Sequence, residues 1–260
     1  MQNKNVKKLY KELLSNEIDS KGFNFLKSTF QKRFSKKVPL DKIPQSWKKI
    51  YYKTYPRLSR ISLKRTETKN NPLYLLLKNR KSERKFKKKT LSLKTISEIL
   101  YFSSGKKVFN KRMNVKNFYR MYPSAGARYP LEVYPVILKS NEVAPGIYHY
   151  NVNSNCLELL LKGNFKKKFS KITGQRWVSN SGMIIIISAV FSRTITKYNE
   201  RGWRYILFEA GHLAQNIQLI STALKLKSCP IGGLLDKEII KFLDLNIKSE
   251  IPLYLISLGK

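Results

Sequence analysis

Between Gly182 and Val190 the chain reads GMIIIISAV, a near-continuous apolar run. Side chains of a strand alternate between its two faces, so a strand with so few polar members has to be covered on both sides. That requirement places a buried sheet at the centre of the fold. A second segment, RYILFEAGHLAQNIQLISTALKL from Arg204 to Leu226, reads as one long helix with apolar residues nearly all round. Such a helix belongs at the middle of the molecule or at a subunit interface.

The remaining elements arrange themselves around these two. PLYLLLKNR, from Pro72, starts a helix with proline in its first turn. TLSLKTISEILYFSSG spaces Leu93, Ile96, Ile99 and Leu100 for burial and ends at Gly105. LEVYPVIL reads as a strand, and GIYHYNVNSNCLELLLKG as a hairpin turning at Asn153 to Asn155. The chain closes with a short helix, DKEIIKFLDL, and a strand, PLYLISLG. The pattern is helix-rich α+β, without the regular βαβ alternation of a dinucleotide fold and without a GxGxxG or Walker loop.

Residues 1–70 read as an N-terminal extension and 71–260 as the main domain. VKKLYKELL sets Val6, Leu9, Tyr10, Leu13 and Leu14 on one helical face, while IPQSWKKIYYKTYPRLSRISL is aromatic-rich and suited to wrapping along another surface. RTETKNNP reads as the linker. No apolar run reaches the roughly 18 to 20 residues of a membrane span, and the N-terminus lacks the apolar core of a secretory signal, so the expectation is a soluble cytoplasmic protein. Cys156 and Cys229 lie far apart without metal-ligand spacing; with only two histidines, neither a disulfide framework nor a metal site is expected. The formal charge of +36 is spread over the whole chain. It suits attraction to nucleic acid, anionic membrane or acidic peptide, but no helix-turn-helix, RNA-binding or finger signature accompanies it, and a solvated lysine coat is the plainer alternative.

Two stretches have the makings of a site. In KNRKSERKF, Arg80, Ser82 and Arg84 alternate, so an extended backbone would aim two guanidinium forks and a hydroxyl at one anionic or acceptor-rich ligand. The alternative is a solvated charge run. In MYPSAGARYPLEVYPV, residues Ser124, Ala125, Gly126 and Ala127 have almost no bulk, which lets a flat ring approach the backbone and bond its amides. An ordinary turn before a strand is the alternative there.

Taken in order, RKSERKF, YPSAGARYPLEVYPV, GIYHYN, KYNERGWRY, EAGHLAQNIQL and PIGGLLDKEI resemble the nitroreductase-like flavin enzymes. More narrowly they resemble the SagB-type thiazole/oxazole (azoline) dehydrogenases of peptide natural-product biosynthesis. The likeness runs from about Pro72 to Lys260 and continues weakly through SWKKIYYKTYP. It implies an α+β nitroreductase-like fold, a central, mostly antiparallel sheet flanked by helices, in an intertwined homodimer binding FMN at its interface. It implies that Arg80, Ser82 and Arg84 hold the phosphate and the pyrimidine edge of FMN. Pro123, Ser124, Ala125 and Gly126 would cover the ring from the neighbouring subunit. Pro230, Ile231, Gly232 and Gly233 would pass beside the flavin N5, with Lys260 left to supply the basic residue that many relatives bring from beyond the last strand.

The implied reaction is oxidation of thiazoline or oxazoline rings in a ribosomally made precursor peptide, with a cyclodehydratase as natural partner. It removes a proton from one ring carbon and a hydride from its neighbour, so a base is needed. A phenol of pKa about 10 is a poor base at neutral pH; a neighbouring ammonium favours its ionised form, and a desolvated lysine can itself act. The resemblance assigns that role to Lys197 and Tyr198, adjacent residues expected on a strand or extended loop, where they would point opposite ways. On residue types alone they are one more surface lysine and a core aromatic. His212, Gln215 and Asn216 share a helical face and read as satisfied buried groups at the dimer interface. His149 reads as structural and Cys229 as a small buried thiol. An NAD(P)H-dependent nitroreductase or flavin reductase, or a non-catalytic binding protein on the same fold, are the alternatives.

Overall fold

The computed structural model describes residues 20–34, 42, 44, 46, 52–63, 71–87, 89–107 and 119–260. The helix expected over VKKLYKELL and most of the linker lie outside them. The described chain runs through α1 (Lys21–Ser28), α2 (Pro72–Asn79), α3 (Leu93–Ser104), β1 (Lys106–Lys107), β2 (Tyr119–Arg120), β3 (Leu131–Ile137), β4 (Gly146–Asn151) and β5 (Cys156–Lys162). It continues through α4 (Lys166–Ile172), β6 (Met183–Val190), α5 (Ser192–Tyr198), α6 (Arg201–Ala223), β7 (Lys227–Ile231), α7 (Asp236–Phe242) and β8 (Glu250–Gly259).

Six strands form one sheet in the order β5-β4-β3-β6-β8-β7, each neighbouring pair antiparallel. The apolar run is β6, at the sheet's centre, and its alternation divides the interior in two. Met183, Ile185, Ile187 and Ala189 join Ile206, Leu213 and Ile217 of α6. Ile184 and Ile186 face the other way, onto Phe169 and Ile172 of α4 and Ile239 of α7. Each buried isoleucine removes enough apolar surface from water to contribute about 1.5 to 3 kcal/mol. The helix α6 is central, as its sequence requires, yet Leu207 and Phe208 on its outer side remain exposed.

Pro135 sits mid-strand in β3, where a missing N–H would cost a ladder bond. The register of β3 with β6 runs from Leu131 to Ile137, while its register with β4 covers Val136 and Ile137. The early half of β3 thus has no ladder pairing with β4, which tolerates the proline, while side chains still meet across it, His149 Nε2 lying 2.9 Å from Glu132. The β4–β5 hairpin turns where expected, with Asn155 in the left-handed region at φ 51°.

Ser20 caps α1, accepting from Phe23 N, and Phe23 and Leu26 are buried. The Phe23 ring lies 6.2 Å from Trp203 of α6 and 5.9 Å from Phe191. Phe23 and Leu26 thus join the main core, with Phe30 packed against it. By contrast, α2, capped by Asn71 with Pro72 in its first turn, buries none of its residues, and Leu73, Tyr74, Leu75 and Leu77 lie open. Among the described residues no helix is long and apolar enough to cross a membrane.

Candidate functional site

Beyond α2 the chain straightens at Arg80 and runs along the edge of β7. Glu83 N donates to Ser228 O at 2.9 Å, and Ser82 forms a parallel bridge with Ser228. The extended backbone expected for Arg80, Ser82 and Arg84 is present. Arg80 Nη1 donates to Gln218 Oε1 of α6 at 2.9 Å. Arg84 interacts with the Cys229 thiol, whose pKa burial pushes up while the guanidinium draws it back. Lys227 Nζ donates to Lys85 O at 2.8 Å, and Lys87 N to Lys260 O at 2.5 Å. Arg80, Ser82, Arg84, Pro230, Ile231 and Lys260 are therefore drawn to one sheet edge. Gly232 and Gly233 follow β7 directly. A Cβ on Gly232 would meet nothing nearer than Tyr254 at 3.9 Å, so the chain itself does not demand glycine there.

The loop ahead of β3 is anchored to α6 as well, at two points. Asn216 Nδ2 donates to Met121 O at 3.1 Å and to Ser103 O at 3.3 Å, tying loop, α3 and α6 together. Ala125 N donates to Glu209 Oε1 at 3.1 Å, and Ser124 Oγ accepts from Tyr129 N at 2.8 Å. Gly126, Ala127 and Tyr129 all have positive φ, at 58°, 53° and 47°. Two of these carry side chains, a conformation that costs energy and recurs at functional sites. Beside the loop lies a pocket of about 680 Å³, within the range of small-ligand sites, lined by Tyr119, Met121, Tyr122, Pro123, Ser124 and Gly126 among others.

Lys197 and Tyr198 close the last turn of α5; the expectation of an extended segment is corrected. Neighbours on a helix are about 100° apart rather than opposed, and both side chains reach the loop. A Cβ on Gly126 would lie 2.5 Å from the Tyr198 hydroxyl and 2.8 Å from Lys197 Nζ. Glycine at 126 is thus required by φ and by this pair, and not only by a ligand. Lys197 Nζ also lies 5.3 Å from the Tyr198 ring centre, while Tyr198 packs edge-on against Tyr205 at 5.0 Å.

Glu209 was missed by the sequence reading. It is 2% exposed; one oxygen accepts from Ala125 N, and Oε2 has no partner among the described residues. Burial raises its carboxyl pKa to about 7, against the opposing hydrogen bonds from Ser124 and Ala125. The available signal was its register, three residues after Ile206 and four before Leu213 on the apolar face of α6. Gln218, the buried acceptor for Arg80, was missed too. In this single chain His212 is exposed, Gln215 is half-buried, and Asn216 is half-buried and bonded. His149 is structural as expected, held at 2.7 Å from Glu158 and 2.9 Å from Glu132, and chiefly the Glu132 bond raises its pKa.

The loop group and the edge group thus each have a tie to α6, through Ala125 to Glu209 and through Arg80 to Gln218. Their anchors, Glu209 and Gln218, are nine residues apart, about 13 Å at helical rise.

A nitroreductase family model matches residues 77–260. Over 186 residues the chain is 30% identical to a nitroreductase-like protein of Methanocaldococcus jannaschii, covering 71% of this chain and 89% of that one. It is 28% identical over 174 residues to the microcin B17-processing protein McbC of Escherichia coli, covering 64% of this chain and 61% of McbC. Among solved structures it superposes with a TM-score of 0.68 and 22% identity on a chain of the E. coli microcin synthetase McbBCD complex with truncated pro-MccB17 bound, over 95% and 96% of the two chains. A nitroreductase-fold protein of Desulfovibrio desulfuricans in complex with FMN matches with a TM-score of 0.51 and 16% identity, over 73% and 86%. At these identities the two structures speak for the fold alone.

Proposed function

The chain belongs to the nitroreductase family, and from that premise we propose that it is an FMN-dependent dehydrogenase that oxidises thiazoline or oxazoline rings in a ribosomally made peptide. The observation that carries the reading is the convergence of Lys197 Nζ and the Tyr198 hydroxyl on Gly126, at the rim of the 680 Å³ pocket. Two proton-handling groups at one point suit a reaction that must take a proton from a ring carbon. Likeness to McbC, a peptide-processing protein, supports the substrate class. A cyclodehydratase partner belongs to the same proposal.

The residues present fit FMN. Two guanidinium groups and a hydroxyl suit its phosphate and pyrimidine edge, and the open space above Gly232 suits a flat ring. Arg80, Ser82 and Arg84 would hold it with Lys260, and Pro230 to Gly233 would lie beside it. When bound, FMN supplies the hydride acceptor. Pro123 to Gly126 would cover it from a second copy, bringing that copy's Lys197 and Tyr198 to the same place. A homodimer is supported by α2, which is apolar yet buries nothing in one chain, and by Leu207 and Phe208 on α6.

The purified protein should be yellow and release FMN on denaturation, and it should convert an azoline peptide to the azole. Lys197→Ala and Tyr198→Phe should each lower turnover by at least 100-fold without loss of flavin. A colourless protein that gains no stability from FMN would overturn the reading. The 30% identity to a nitroreductase-like protein favours one second reading, an NAD(P)H-dependent reductase. Rapid bleaching of the flavin by NAD(P)H, with azoline peptides untouched, would select it.

A further inference from the structure

Where β3 and β4 part, a second pocket of about 410 Å³ opens, and its chemistry differs from the first. Four cationic side chains line it, Lys106, Arg120, Arg128 and Arg193, with one carboxylate, Glu132. That carboxylate is already engaged: Arg193 Nη1 lies 2.5 Å from one oxygen and His149 Nε2 2.9 Å from the other. Arg120 Nη1 donates to Leu131 O at 3.1 Å and to the Tyr122 hydroxyl at 3.3 Å, with its guanidinium 5.4 Å from the Tyr129 ring centre. Arg128 Nε donates to Arg193 O at 2.6 Å. These acceptors are neutral, so they fix the two guanidinium groups in place without cancelling their charge. Lys106 Nζ is held by Asn153 Oδ1 at 2.6 Å. The result is a recess lined by more cationic side chains than carboxylates, and held guanidinium forks favour a carboxylate or phosphate there.

Position gives the recess its meaning. Arg120 and Tyr129 line both pockets, so the two adjoin. Arg128 stands two residues from Gly126, the point on which Lys197 and Tyr198 converge. We propose that this recess binds a carboxylate of the peptide substrate, an Asp or Glu side chain lying about two to four residues from the ring to be oxidised, at roughly 3.3 Å per extended residue. Assigning the anion to the substrate rests on the peptide-dehydrogenase reading above; the recess itself does not.

The test is calorimetric titration of the full chain, at low ionic strength, with an unlabelled decapeptide containing one cysteine and one Asp three residues away, and with its Asn counterpart. Neither peptide carries an azoline, so no turnover is needed. The Asp peptide should bind about tenfold more tightly. That preference should fall at least fivefold in Lys106→Gln/Arg128→Gln and survive in Lys237→Gln/Lys241→Gln, which removes the same charge from α7. Equal binding of the two peptides, or equal loss in both double variants, overturns the proposal. Displacement of the peptide by a random-sequence duplex oligonucleotide that depends on the same two residues more strongly than the peptide does would also overturn it. An acid preference without oxidation of any azoline peptide would leave the recess standing and remove the reaction. Oxidation indifferent to Asp or Asn would do the reverse.

Discussion

At Gly126 a single hydrogen decides whether Lys197 and Tyr198 can meet the loop. Gly126→Ala adds a methyl group at φ 58°, 2.5 Å from the Tyr198 hydroxyl, and the atoms in its way are the mobile ends of two side chains. The pair should swing aside at a stability cost of about 1 kcal/mol, while turnover falls at least tenfold; melting temperature and steady-state rates measured together separate the two effects. Glu209 yields a pH signature. Its carboxyl is neutral in both folded and unfolded chains at low pH, but above about 7 folding has to bury the charge. The wild type therefore loses stability as pH rises from the ordinary carboxylate range through about 7. Glu209→Gln is free of that loss, so its stability relative to wild type should improve by on the order of 2 kcal/mol between pH 5 and pH 8. A gap in denaturation midpoint that stays constant over that range would refute this. Nothing in residue type distinguishes Glu209 from a surface acid, which is why it escaped notice. Lys197 and Tyr198 could be picked out only because their surrounding motif resembles a family.

At the level of elements, legibility followed periodicity. β6 was readable because burial on both faces leaves no polar face to interrupt the apolar run, and α6 because its length and pattern admit little else. Ile186→Ala in β6, at a position with no exposure, should cost about 2 to 5 kcal/mol in chemical denaturation. A cost below 1 kcal/mol would contradict the two-sided core. The short helix α5 was not legible. SRTITKY contains two threonines and an isoleucine, which favour extended chain, and no side chain caps its start. Its first turn is held where Thr194 and Ile195 N–H groups both bond to Phe191 O, and Phe191 is fixed by a tilted ring contact at 4.8 Å with Trp203. Tertiary contacts set its shape, so local sequence could not announce it. The early half of β3 without β4 ladder pairs was hidden for the same reason: Pro135 is visible in sequence, but where the β3–β4 ladder stops is a matter of register.

For the whole molecule, the exposed apolar face of α2 is the feature that asks for a second copy. Leu75→Glu/Leu77→Glu replaces side chains that are 44% and 49% exposed in one chain, so a monomer should lose little stability by the change. In a dimer that covers α2, burying two carboxylates is costly, and light scattering should report half the wild-type mass with flavin binding weakened at least tenfold. Unchanged mass would remove α2 from the interface. The charge of +36, so prominent in the composition, shaped neither core nor topology; among the described residues part of it gathers in the recess beside the loop. A last consequence comes from the two groups suspended on α6. Because a rigid rod of fixed pitch spaces them, substitutions between residues 209 and 218 leave the gauge intact, whereas deleting a single residue there would turn one end about 100° against the other and draw it in by about 1.5 Å. Insertions and deletions in this stretch should therefore be far more damaging than their size suggests.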